Sequence, residues 1–269
     1  MGPFLSALRW ITDGANWQAG SRSPLPIQDR LVEHLTYTAI AVVIAALIAL
    51  PLGFLIGHTG KGRQFVIGFT GAMRAVPTLG LLFFLLMVFG YFLSFDTAPI
   101  VGATISFVVL AIPSMLAGAY SGLESVDRQT IDAARANGMT EWQILCRVEI
   151  PLGLPLIIGG VRASVLQVIA TVTIASYAGL GGLGRIITSG IGFADYDLIL
   201  GGALLVTALA LAVDAVFAVL QRLTATRGLT DGTQGPRRSI RPRSGAGSST
   251  TPATSGGTAR TPPRASIDA

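Results

Sequence analysis

The fold class this chain predicts is an all-α integral membrane protein with about five transmembrane helices. Three observations predict it. Of 269 residues, 51% are hydrophobic and only 12% are charged, against roughly 25% charged in an ordinary soluble domain. Apolar stretches of about 20 residues recur along the chain, each long enough to cross a hydrocarbon core of roughly 30 Å. The polar loops between them carry their arginine and lysine mostly on one side.

Residues 1–33 form a mixed, polar first segment without the basic-apolar-small pattern of a cleaved leader. Within it, Phe4, Leu5, Leu8, Trp10 and Trp17 predict a short amphipathic helix lying at the membrane surface, in contact with lipid. Span one covers 36–57, uncharged, with Pro51 near its end. The apolar region 65–94 holds Arg74 and Pro77. Proline removes a backbone donor and disfavours helix at the residue before it. A short helix to about Ala75, a break, and a second span over 78–92 follow from that. Span three covers 98–120, with Pro113 as an expected kink. Span four covers 151–175 and carries Arg162. Span five covers 198–221 and carries Asp214. A membrane domain over 34–223 and a Gly/Ser/Thr/Pro/Arg-rich tail over 224–269 complete the organisation. The tail is too poor in aliphatics to bury a core and is expected to be disordered.

Lys61 and Arg63 follow span one, Arg128, Arg135 and Arg147 separate spans three and four, and eight arginines follow span five. All fall on one side of a five-span topology, which makes that side cytoplasmic and the C-terminus with it. The N-terminus then lies outside, although it carries three arginines.

Residues 125–149 form a polar island between two apolar spans. Ser125 or Asp127 can cap a helix running to Asn137. Gly138 suits the left-handed position that closes it. Thr140 and Gln143 have the form of a capping box opening a second short helix to about Glu149. Pro151 then stands in the first turn of span four, where proline is tolerated. Ile131, Met139, Trp142 and Leu145 offer more apolar contact than a solvated loop requires, and Ala133, Ala134 and Ala136 allow close approach. Without a partner, this is a surface helical hairpin.

The order acidic-Ala-Ala, three residues, Gly, nine residues, aliphatic, one residue, aliphatic, Pro resembles the signature of importer-type ABC transporter permeases. The matching residues are Asp132, Ala133, Ala134, Gly138, Val148, Ile150 and Pro151. Asp132 departs from the glutamate more frequent in that family, and its own contact is left unassigned. The resemblance implies a type I importer permease fold, like that of the methionine importers. It also implies that the segment couples to a cytoplasmic ATPase subunit, with Met139, Thr140 and Trp142 beside the signature residues.

The stretches 50–63, 74–80 and 179–184 are similar to the glycine betaine/carnitine/choline (osmoprotectant) permeases, over residues 31–223. That implies import of a compatible solute across the cytoplasmic membrane of a prokaryote. The implied partners are a separate ATPase that uses the ATP, a second permease copy or paralogue, and an extracytoplasmic binding protein. The chain has no Walker motif, so no bound cofactor and no catalysis are expected of it, and no nucleic-acid partner. The methionine-importer permeases remain an alternative within the class. A passive channel is the alternative outside it, but no filter or charged ring is evident.

Gly179, Gly181, Gly182 and Gly184 stand in the loop between spans four and five. They read either as an outer gate or binding-protein contact, which the resemblance implies, or as a flexible turn. A charge within an apolar span costs several kcal/mol unless paired. Arg74, Arg162 and Asp214 should therefore face the protein interior, with an ion pair of Asp214 to Arg162 or Arg74. His34 and His58 are not at metal-ligand spacing and read as interface residues. Cys146, the single cysteine, reads as a small packing residue.

Overall fold

The computed structural model describes residues 3–18 and 26–224, apart from the side chain of Arg74. The basic tail beyond Thr224 lies outside the described residues. Ten α-helices follow one another in the described residues: α1 Pro3–Thr12, α2 Ile27–Thr59, α3 Arg63–Arg74, α4 Thr78–Phe92, α5 Ala98–Glu124, α6 Arg128–Ala136, α7 Glu141–Ile144, α8 Ile150–Ala175, α9 Gly184–Phe193 and α10 Tyr196–Thr224.

Helices α2, α5, α8 and α10 are each long and apolar enough to cross a membrane, and α3 with α4 form a fifth, bent unit. Helix α5 lies between α2 and α8, with α4 also against it, while α10 packs on α8, α9 and α1. Small residues set these contacts. Along α2, Ala41, Ala45, Ala49 and Gly53 are all buried at every fourth position, which is one face of a helix. A Cβ on Gly53 would lie 2.5 Å from the Ala119 Cβ of α5. On the other side of α5, Gly118 faces Gly160 and Gly122 faces Gly153 of α8, at separations a side chain would occupy. Close backbone approach of this kind replaces the hydrophobic drive that lipid does not provide between helices.

The break at Val76–Pro77 is present, and it turns α3 and α4 by 88°. Helix α5 continues through Pro113 as one helix, so that proline does not end the span. Helix α2 begins at Ile27, nine residues before the expected start of span one. Its first turns hold Arg30, Glu33 and His34, which find partners inside the protein. Part of the expected 177–197 loop is helix: α9 packs its Gly190 against Leu198 and Ile199, and Gly184, Gly190 and Gly192 masked that helix in the sequence.

The amphipathic first segment is a helix, α1. Trp10 lies over Gly201 of α10, and Ser6 Oγ donates to Asp197 Oδ1 at 2.5 Å. Phe4, Leu5 and Leu8 remain exposed on its other face.

Candidate functional site

The polar island folds as a helix, a sharp turn and a second helix, each end closed by its own residues. Asp127 caps α6, its Oδ1 accepting the Gln129 N–H at 3.0 Å. Ser125, the other candidate cap, donates instead to the Gly122 carbonyl. At the far end Gly138 takes a φ of +79°. Its N–H donates to the Arg135 carbonyl and that of Met139 to the Ala134 carbonyl, the two bonds of a Schellman closure. Thr140 Oγ1 then accepts the Gln143 N–H at 3.4 Å while Gln143 Oε1 accepts the Thr140 N–H at 3.0 Å. This is the reciprocal capping box.

The second helix differs from expectation. Only Glu141–Ile144 is α-helical; Leu145–Glu149 is wound as one π-helical turn that runs directly into α8. A π turn inside a helix frequently marks a functional position. Ile144 and Ala134 are buried, and Ile131, Met139 and Leu145 are half-buried. Asp132, Ala133 and Ala136 are exposed, and Trp142 is 72% exposed. Cys146 is exposed, not packed.

Charge ties the segment together. Arg135 donates to both Glu141 oxygens, at 2.8 and 3.0 Å, and more distantly to Asp132 at 3.4 Å. The bond to Glu141 raises the Arg135 guanidinium above its ordinary value, and the reciprocal bond lowers the Glu141 carboxyl. The pair therefore contributes above the usual carboxylate range and is lost as pH falls through the depressed value. His58, in the last turn of α2, reaches in between: its Nδ1 is 2.5 Å from Glu149 Oε2 and its Nε2 is 3.3 Å from Glu141 Oε2. Glu149 is buried, at 3% exposure. A cleft of about 620 Å³ beside this cluster is lined by His58, Arg63, Tyr120, Glu124, Arg128 and Asp132. His58, expected as an interface residue, thus meets two acids within the protein, and no local pattern around it signals them.

At the opposite end of α2 the glycine loop is held, not loose. Gly179 and Gly182 take φ of +88° and +81°. The Gly182 N–H donates to Glu33 Oε2 at 2.8 Å, and the Leu183 N–H to His34 Nδ1 at 3.3 Å. A Cβ on Gly181 would collide with the Glu33 carboxylate, and one on Gly184 with the Thr173 carbonyl. His34 is fully buried, which corrects its reading as an interface residue. With Nδ1 accepting, Nε2 carries the proton and donates to the Ile169 carbonyl at 3.2 Å.

Within the spans, Arg162 and Asp214 pair bidentately, at 2.6 Å for each bond, and Arg162 Nη1 also donates to Gln221 Oε1 at 3.0 Å. Gln221 Nε2 in turn donates to the Pro155 carbonyl. The network joins α8 to α10. Arg74, the other candidate partner, has its side chain outside the described residues.

The family described as the binding-protein-dependent transport system inner membrane component matches residues 49–227. The chain is 36% identical over 203 residues to the carnitine transport permease protein OpuCB of Listeria monocytogenes, covering 76% of this chain and 90% of that protein. It is 36% identical over 197 residues to the glycine betaine/carnitine/choline transport system permease protein OpuCB of Bacillus subtilis (strain 168), covering 73% and 88%. Its fold is similar to that of a chain in the inward-facing MetNI methionine ABC transporter, with a TM-score of 0.64 at 22% identity, over 74% of this chain and 97% of that one. The chain belongs to the binding-protein-dependent inner membrane component family and is the membrane-spanning permease subunit of an ATP-binding-cassette importer.

Proposed function

We propose that this permease imports a compatible solute of the glycine betaine, carnitine or choline type. The residues 125–149 are its docking element for a separate ATPase. The observation that carries the docking reading is a segment closed at its helix ends by its own caps that leaves Trp142 uncovered. A tryptophan 72% exposed on a pre-ordered helical turn is the kind of anchor that fills a partner's pocket. Ala133 and Ala136, exposed on α6, allow the partner's backbone close. Gly138 and Thr140 hold the two helices at their angle, Pro151 starts the span that follows, and the Met139 N–H closes the turn on the Ala134 carbonyl.

The substrate class rests on the relatives' names and on the resemblance over 31–223. The segment faces the cytoplasm, the N-terminus lies outside, and the membrane is the cytoplasmic one. The ATPase uses the ATP, and this chain hydrolyses none. A second permease copy or paralogue completes the pathway, and an outer binding protein delivers solute to the side bearing Gly179–Gly184. Closure of the ATPases displaces the docking segment, and rigid-body motion of the spans alternates access.

The test is reconstitution of the chain with its ATPase and binding protein in liposomes. Uptake of labelled glycine betaine, carnitine or choline that requires ATP and the binding protein is expected. Uptake of methionine in their place would refute the substrate class, and ATP-independent flux would refute the mechanism.

A further inference from the structure

The two histidines of this chain stand near the two ends of α2, and each clasps that helix to an end of α8. At the docking end, His58 meets Glu141 before the π turn and Glu149 at its close. Each ring nitrogen thus lies within reach of a carboxylate oxygen, one from each of the two acids. At the other end, His34 donates to the Ile169 carbonyl inside α8 and accepts from Leu183 just beyond it, while Glu33 accepts from Gly182. Both loop contacts are made to backbone N–H groups, so they fix the position of the glycine loop itself. The two histidines are 24 residues apart in an unbroken helix, about 36 Å along its axis.

Helix α8 joins the docking segment to the glycine loop through the chain, but that path runs through the π turn at Leu145–Glu149. Such a turn carries an extra residue within the helix and recurs at functional sites. The His58 clasp holds the acids on both sides of it. We propose that α2 and α8 act as one lever, with His58 and the Glu33–His34 pair as positioning residues that carry displacement of the docking segment to the glycine loop.

This rests on the docking reading of residues 125–149. The test uses the assembled transporter in liposomes and measures solute moved per ATP hydrolysed. With His58→Ala, the ATPase remains in the complex and hydrolysis continues, but the ratio falls by about fivefold. His58→Gln, whose amide offers two N–H donors, recovers most of it. Glu33→Ala, at the other end, lowers the ratio in the same way. A structural residue would change the amount of complex and leave the ratio alone. Where His58→Ala gives no assembled complex, Glu33→Ala carries the test, because it removes one loop contact from a partly exposed side chain. An unchanged ratio in these variants overturns the lever, as does loss of the ATPase from an otherwise assembled His58→Ala complex. Cross-linking of the exposed native Cys146 to the ATPase, with Cys146→Ser as the blank, separates the two claims. Cross-linking with an unchanged ratio sinks the lever alone, and its absence when His58 is intact sinks the docking reading.

Discussion

At the residue scale, single atoms decide whether the helices meet. Gly118 and Gly160 leave α5 and α8 in backbone contact, where a Cβ on Gly118 would stand 2.5 Å from the Gly160 Cα. Gly118→Val forces the helices apart and is expected to lower stability by about 2 kcal/mol or more. The check is thermal unfolding of the detergent-purified protein, read by size exclusion. The Arg162–Asp214 pair gives a different signature. Asp214→Leu alone strands a guanidinium among apolar spans and is expected to lower the melting temperature. Adding Arg162→Met removes the stranded charge and recovers much of that loss, so the double variant melts above the Asp214→Leu single. Equal melting of single and double would mean that the pair is a surface feature with no role in joining α8 to α10.

At the element scale, the docking segment shows what a sequence can and cannot disclose. Asp127, Gly138 and Thr140 act on backbone atoms within a few residues of themselves, so their caps and the closing turn were legible. The same holds for the break at Pro77. The π turn was not legible, because nothing in Leu145–Glu149 distinguishes it from α-helix. Helix α9 was hidden by glycines that serve packing. His34 and His58 were misread because their partners lie 135 and 91 residues away, and one sequence does not say which distant faces meet. The glycine pairs of α5 and α8 were silent for the same reason. Thr140→Ala removes one half of the capping box and is expected to cost about 1 kcal/mol locally. Hydrogen exchange should then accelerate over residues 141–149 while the amides of α5 stay protected. Uniform acceleration across the protein would contradict a local cap.

At the scale of the whole molecule, the segment that looked like a polar island is the folded end of α8, clasped to α2 by His58 and Glu149. On the docking proposal this end of the bundle is a pre-ordered surface for an ATPase, and on the lever proposal α2 and α8 are the route from it to the glycine loop. Trp142 is exposed there, and under the docking proposal losing it should weaken the ATPase's hold without disturbing the fold. The most direct test is co-purification of the ATPase with wild-type and Trp142→Ala permease from the same membranes, with thermal melting of the permease measured alongside. The expected result is at least about a tenfold loss of bound ATPase, the scale of a buried aromatic anchor, with an unchanged melting temperature. Full retention of the ATPase by the Trp142→Ala chain would contradict the docking role assigned to residues 125–149.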